Sequence, residues 1–386
     1  MPILPSRSRQ SSVVDTTAEA PAMDAQQSTR KSFSNIFGGG ARRESTEARP
    51  ISSTAPRSDA AAATDVAAPS KSRRPSEVGT PGEATSSATA PAATQGSANP
   101  DFTPVAGHEG NLTDEQKRVL DKFREELYAK NALEKNNAPH YQTTQLLRFL
   151  RARNFDVAKS LEMYLSAEKY KEDIELDRLC EEFEFTERAQ VAEYGWRMYF
   201  HKTDKLGRPI FIQDLSGLDT DKVFSVTTNE RIIQNFSVTL EKAVRMRYLA
   251  CTEAQGHLVD DNFMVLNVQG LGLGTFWAMK NRLQQLLNLL DNNFPELSGR
   301  VQIINAPMLF TTIWSYVKGW LPAHTAEKID ICGSNYLPLI KTFVDMDNWP
   351  KHLGGNCTCN AKEKTHLACE TCDPGPWKNS SAAAGL

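Results

Sequence analysis

No apolar run in this 386-residue chain approaches the ~20 residues needed to cross a bilayer. The first residues also lack an apolar signal region. Arg7 and Arg9 alone hint at a transit peptide, and Asp15, Glu19 and Asp24 argue against one. The expectation is a cytoplasmic protein whose seven cysteines stay reduced. A basic stripe is missing too: the formal net charge is -3, which gives no case for a nucleic-acid partner. There is no Walker or G-x-S-x-G motif, and no His pair at helical spacing. With no assembled nucleophile, base and oxyanion group, the chain does not read as an enzyme.

Apolar residues are scarce over 1–108, where Ser, Ala, Thr and Pro dominate. Such a segment buries too little apolar surface to offset its ordering entropy, so it reads as a disordered tail. Its one apolar cluster, "FSNIF", suits a hook for a membrane or a partner. Ser32, Ser34 and Ser76 follow basic residues and suit basophilic kinases. The remaining residues are rich in Leu, Ile, Phe and Trp, enough for one large core.

The folded part opens with helices. In "LTDEQKRVLDKFREEL", Thr113 and Gln116 form a capping box. Val119, Leu120, Phe123 and Leu127 then share one helical face. A short apolar helix carries Leu146, Leu147, Phe149 and Leu150, Phe155-Asp156 breaks it, and a second helix runs from Val157. From Trp196 the period changes. "RMYFHKTDKLGRPIFIQDL" reads as two strands around a turn at Asp204–Gly207. A long amphipathic helix spans about 229–250. Strands at 263–268, 301–307 and "IDICG" then alternate with helices at about 275–292, up to Trp320, at 323–328 and near 335–344. This alternation implies an α/β layer with a mainly parallel sheet.

The stretch "FMVLNVQGLGLGTFWAMKN" sets Gly270, Gly272 and Gly274 between a strand and a helix, as a dinucleotide site does. The spacing is G-x-G-x-G, however, without the third glycine of the fingerprint. Asp291 stands about where a ribose-holding acid belongs, but the next strand starts only at Val301. The glycines read as a tight strand-to-helix turn.

Scattered polar residues among apolar ones carry more information. "LLRFLRARNFD", "FHKTDKLGRPIF", "GHLVDDNFMVLNVQG", "NFPELSGRVQIINAP" and "LGG" occur in this order. Together they resemble the CRAL-TRIO lipid-binding family, nearest to its fungal Sec-fourteen type phosphatidylinositol/phosphatidylcholine transfer members. The resemblance runs from about Leu112 to Trp377. It implies a helical N-terminal subdomain and a mixed, mainly parallel sheet whose flanking helices enclose one lipid. The expected division is a tail at 1–108, helices at 109–185, the lipid-binding domain at 186–361 and a cysteine-containing tail at 362–386. A diacyl lipid carries about thirty methylenes, and moving them into water costs roughly 25 kcal/mol at about 0.8 kcal/mol each. A carrier therefore needs a closed apolar cavity and a gate. "MLFTTIWSYVKGWLP" fits the gate, with Phe310, Ile313, Trp314, Val317, Trp320 and Leu321 on one face.

The resemblance also implies site residues. Arg153, Glu296, Thr325 and Lys328 fall where the family holds the phosphoinositol headgroup. Arg and Lys suit the phosphate, Thr325 donates a hydroxyl, and Glu296 accepts from inositol hydroxyls. Asn154 replaces the lysine that often follows the arginine. At the family's phosphocholine positions stand Phe200, Phe211, Asn262 and Met264, so three hydroxyls have become apolar and one an amide. The expected ligand is phosphatidylinositol, with weak or absent phosphatidylcholine binding and a sterol as another option. No cofactor beyond the bound phospholipid is implied. Expected partners are membrane surfaces, met transiently, and phosphatidylinositol kinases, on the periphery of internal membranes. The tail "CTCNAKEKTHLACETC" leaves two readings open: a zinc site of Cys357, Cys359, Cys369 and Cys372 with His366, or a packed or exposed tail without metal. Cys180, Cys251 and Cys332 read as core residues.

Overall fold

The computed structural model describes residues 102–133, 141–359 and 368–380. The serine-rich segment, the "FSNIF" hook and His366 lie outside the described residues.

Three helices form a first layer: α1 (Asp114–Ala129), α2 (Gln142–Ala152) and α3 (Val157–Asp173). The capping box starts α1, with Thr113 and Gln116 satisfying each other's backbone N–H groups. Between α2 and α3 the chain turns through Asn154 and Phe155, both at positive φ, and Asp156 caps α3 at Lys159 N–H. Leu120, Phe123 and Leu127 of α1 meet Leu146, Leu147 and Leu150 of α2 in a separate core. Each such buried side chain stabilises by about 1.5–3 kcal/mol relative to exposure. Helix α4 (Leu176–Glu182) does not join them: Leu176 and Cys180 sink into the core beside the sheet. Phe102 stacks on His257 at 3.7 Å, and His108 bonds Asp260 at 2.8 Å, so residues 102–108 pack on the folded part.

After α5 (Arg188–Glu193) comes a five-stranded sheet in the order β1-β2-β3-β4-β5. Strands β1 (Arg197–Thr203) and β2 (Pro209–Asp214) are antiparallel across the expected turn, where Gly207 has φ 78° and Gln255 leaves no room for a Cβ. Helices α6 (Thr220–Val226), α7 (Asn229–Lys242) and α8 (Tyr248–Gln255) follow. The single long helix expected here is α7 and α8, joined by a π-helical turn over Ala243–Arg247. Strand β3 (Asn262–Asn267) runs parallel to β2, β4 (Ser298–Ile304) to β3, and β5 (Ile329–Ile331) to β4. The sheet is thus mixed and mainly parallel. Helices α9 (Leu273–Asn293), α10 (Phe310–Val317), α11 (Ala323–Glu327), α12 (Leu337–Phe343) and α13 (Ala368–Cys372) are the remaining α-helices among the described residues. The glycine stretch forms the turn into α9: Gly270 has φ 76°, Gly272 caps the helix, and Gly274 lies in its first turn.

Register divides the sheet into two faces. Phe200, Phe211, Met264, Val301 and Ile329 stand opposite one another across the five strands. Phe211, Met264, Val301 and Ile329 of that row line an internal cavity. On the other face Tyr199, Ile212 and Val265 pack with Ile340 of α12, Trp349 and Leu353, sealing the sheet from behind.

Candidate functional site

The cavity lies between the sheet and helices α9 and α10, with about 270 Å³ open to water-sized molecules. Its wall is almost entirely apolar: Leu266 and Ile303 from the sheet, Met279, Leu286 and Leu290 from α9, and Phe310, Ile313, Trp314 and Val317 from α10. Such a lining favours hydrocarbon, not a polar metabolite. A broader groove beside Glu184, Thr228 and Arg231 is open and polar, and has no comparable wall.

Polar groups gather at one end, where Glu296, His324, Thr325 and Lys328 border the same cavity. The Glu296 carboxylate is only 9% exposed. It accepts from Lys328 Nζ at 2.7 Å and lies 2.9 Å from His324 Nε2. Burial alone would raise its pKa; the Lys328 charge and hydrogen bond, with help from Arg151 and His324, outweigh burial and hold it below its usual value. Glu296 also has φ 59°, a left-handed backbone that costs a non-glycine residue about 1–2 kcal/mol. The turn at Pro295-Glu296 delivers the carboxylate to the cavity at that cost. Thr325 and Lys328 come from the one-turn helix α11 and its C-cap, three residues apart and so on one side.

Arg153 stands apart from this cluster. It is half-buried at the end of α2, where its Nη1 donates to the Ala152 carbonyl at 3.0 Å, and it does not line the cavity. The cation nearest Glu296 from α2 is Arg151, with Nε 3.8 Å from Glu296 Oε2 and Nη2 3.5 Å from Asp260 Oδ2. Neither nitrogen makes a hydrogen bond among the described residues. Arg148, one turn earlier, donates twice to the Asp260 carbonyl, at 2.6 and 3.2 Å. Arg148 and Arg151 thus clamp the helical layer to the loop before β3. Sequence reading passed over Arg151 and His324. The i,i+3 spacing of Arg148 and Arg151 was the available signal.

Of the four positions at the expected second site, Phe211, Asn262 and Met264 line the cavity and Phe200 does not. Phe200 stacks behind Phe211 at 4.6 Å, with the Arg247 guanidinium 4.7 Å over its ring. The Asn262 amide is committed on both sides: it donates to the Tyr248 hydroxyl at 3.0 Å and accepts from Ser298 at 3.1 Å.

On the α10 side the cavity-facing and outer surfaces differ. Phe310 and Ile313 are buried, and Trp314 and Val317 line the cavity. Trp320 lies on a 3-10 turn beyond α10, stacked on Phe276. The outer side carries Thr311, Thr312 and Ser315 together with large apolar groups: in the preceding loop Met308 is 95% and Leu309 62% exposed, and exposed Tyr316 meets exposed Trp277 at 5.1 Å. Among the described residues no helix is long and apolar enough to cross a membrane.

A mixed sheet under helices, with an apolar cavity and one charged end, is the architecture of an internal hydrophobic-ligand carrier. Residues 193–355 match the CRAL/TRIO domain, and residues 117–166 match the CRAL/TRIO N-terminal domain. The chain is 34% identical over 271 residues to the Sec14 cytosolic factor of Schizosaccharomyces pombe, covering 70% of this chain and 91% of that protein. It is 33% identical to the SEC14 cytosolic factor of Kluyveromyces lactis, over 71% of this chain and 88% of that protein. A phosphatidylinositol/phosphatidylcholine transfer protein of Arabidopsis thaliana, SFH12, is 32% identical over 69% of this chain and 48% of its own length. The crystal structure of Sfh5 shares the fold, with a TM-score of 0.51, 14% identity and coverage of 67% of this chain and 91% of that one. The chain belongs to the CRAL/TRIO family, and within it to the Sec14 type.

Proposed function

We propose that the protein carries phosphatidylinositol between membranes and presents it to phosphatidylinositol kinases. The observation that carries this reading is the pairing of an apolar cavity with the Glu296–Lys328–His324–Thr325 cluster at its end. Acyl chains occupy the cavity. Lys328 and Thr325 take the phosphate, and Glu296 takes the inositol hydroxyls, which choline lacks. Arg153 is the second phosphate cation in this reading, with one nitrogen spent on the Ala152 carbonyl and the rest of its guanidinium left for the phosphate. Buried Arg151 holds Glu296 in place. The relatives named for phosphatidylinositol and phosphatidylcholine transfer support the lipid class.

Phosphatidylcholine is disfavoured in this reading. Phe211 and Met264 offer it no hydrogen bond, and the Asn262 amide is already used within the protein. The same apolar wall favours a second reading, a sterol or another nearly apolar ligand in place of choline lipid. Lipids extracted from the purified protein and identified by mass spectrometry test both: phosphatidylinositol as the main species supports the carrier reading. A sterol alone would replace it with the second reading.

A further inference from the structure

The cysteine-containing tail, which the lipid site does not use, packs against the back of the sheet. Cys357 and Cys369 are buried there, and Cys359 is half-buried. All three thiols and the His201 imidazole place their ligand atoms within 4.8 Å of one another. The Cys359 and Cys369 Sγ atoms are 3.8 Å apart. Two thiolates bound at about 2.3 Å to a tetrahedral zinc would stand about 3.8 Å apart as well. The Cys359 amide N–H points at Cys357 Sγ from 3.4 Å, a contact that stabilises a thiolate.

His201 supplies the independent observation. It is fully buried; its ring reaches the Cys369 backbone, but neither ring nitrogen makes a well-formed hydrogen bond among the described residues. A buried ring nitrogen left without a partner costs about 1–3 kcal/mol, and with one nitrogen turned to the Cys369 backbone the other is free to take a ligand. The backbone explains how it gets there. Between the pairs Phe200↔Phe211 and Thr203↔Pro209, His201 and Lys202 together face Ile210 alone, which is a β-bulge. Lys202 has φ 50°, and its N–H bonds the Pro374 carbonyl, so the bulge is tied to the tail. Alternation puts His201 on the Tyr199 side of β1, the side where Cys357 and Cys369 pack.

We propose that Cys357, Cys359, Cys369 and His201 form a structural zinc site that staples the C-terminal segment to β1. Three soft thiolates and one imidazole in a tetrahedral arrangement suit zinc above harder cations. A disulfide between two of the thiols would leave His201 unpaired. Four protein ligands close the coordination shell, so the site anchors and does not catalyse. Cys372, which sequence spacing pairs with Cys369, is not one of the four; His201, more than 150 residues upstream of the cysteines in sequence, takes that place. Beyond the site the tail continues to Trp377, whose ring lies 6.3 Å from Phe200, behind the cavity wall.

The test is the metal content of the full chain, purified under reduction and passed through gel filtration. About one zinc per chain is expected. Cobalt added in place of zinc should give the absorption of a tetrahedral thiolate site. His201→Asn and Cys369→Ser should each reduce retained zinc at least about tenfold, while Cys372→Ser should retain it. If the ligand variants fail to fold, the wild type still decides. A strong chelator should expose residues 368–380 to proteolysis and lower the melting temperature by about 5 °C or more. Metal-free wild-type protein with reduced thiols would overturn the site. So would a Cys359–Cys369 disulfide in the native chain, or zinc lost from Cys372→Ser but kept by His201→Asn.

Discussion

Glu296 is where sequence, backbone and charge converge. Its left-handed φ is tolerated because Lys328, His324 and Arg151 surround the carboxylate that the turn presents. Glu296→Gln keeps the shape and removes the charge; Lys328→Ala removes the proposed cation for the phosphate and leaves the carboxylate less compensated. A hydrogen bond to a charged group is worth about 1.5–3 kcal/mol, so each change should slow phosphatidylinositol transfer between vesicles about ten- to hundredfold. Transfer at the wild-type rate by both variants would remove these residues from the site. The two arginines separate by readout. Arg153→Ala should slow transfer and leave the melting temperature nearly unchanged, whereas Arg151→Ala should lower it, because Arg151 bridges Asp260 and Glu296 inside the protein. The sequence nominated Arg153 alone from "RARN" and did not show that Arg151 turns inward. That depends on where α2 ends and on the positive φ of Asn154 and Phe155.

Two groups of elements bear on the proposed carrier role. The outer side of α10 and the loop before it expose Met308, Leu309 and Tyr316, while the inner side closes the cavity with Phe310, Ile313 and Trp314. Exposed apolar side chains beside a cavity wall suit the boundary of a bilayer. Replacing Met308 and Leu309 by Asp should slow vesicle binding and lipid exchange about tenfold or more without lowering the melting temperature, since both are already exposed. Trp314→Asp with Trp320→Asp should slow exchange too, with some loss of stability. Unchanged exchange in both double variants would make α10 an ordinary wall. The second group is the clamp between α2 and the loop before β3. Burial acts to raise the pKa of Asp260, but the hydrogen bond from His108 and the charges of Arg148, His108 and Arg151 bring it down to about 2, from 3.8. A carboxyl depressed on folding stabilises above its unfolded pKa and loses that contribution as pH falls through the folded value. About 2 kcal/mol should therefore be present above about pH 4 and disappear toward pH 2. Asp260→Asn should flatten that part of the stability–pH curve. An unchanged curve would show that the clamp contributes nothing.

For the protein as a whole, local signals carried well: the capping box, the Asp204–Gly207 turn and the strand–helix alternation all correspond to observed elements. What escaped the sequence depends on distant contacts. The π turn at Ala243–Arg247 has no local signature, and Arg247 from it reaches Asp373 at 3.1 Å, over a hundred residues away. The bulge that sends His201 toward the cysteines is likewise set by the tail, not by the strand. Phe200 was expected at the second site from the family resemblance; it stacks on Phe211, which lines the cavity while Phe200 does not. That packing sharpens the selectivity argument. Phe211, Asn262 and Met264 alone meet a lipid there, and two lost hydrogen bonds at about 1–1.5 kcal/mol each weaken a choline lipid by one to two orders of magnitude. In the proposed reading phosphatidylinositol uses the Glu296–Lys328 end and is spared. The decisive measurement is transfer of labelled phosphatidylinositol and labelled phosphatidylcholine, side by side, from the same donor vesicles by the unmodified protein. Ready inositol-lipid transfer with choline-lipid transfer at least about tenfold slower is the expected result. Phosphatidylcholine moved as fast as phosphatidylinositol would contradict the account, because the cavity would then hold choline lipid through groups other than those at 200, 211, 262 and 264.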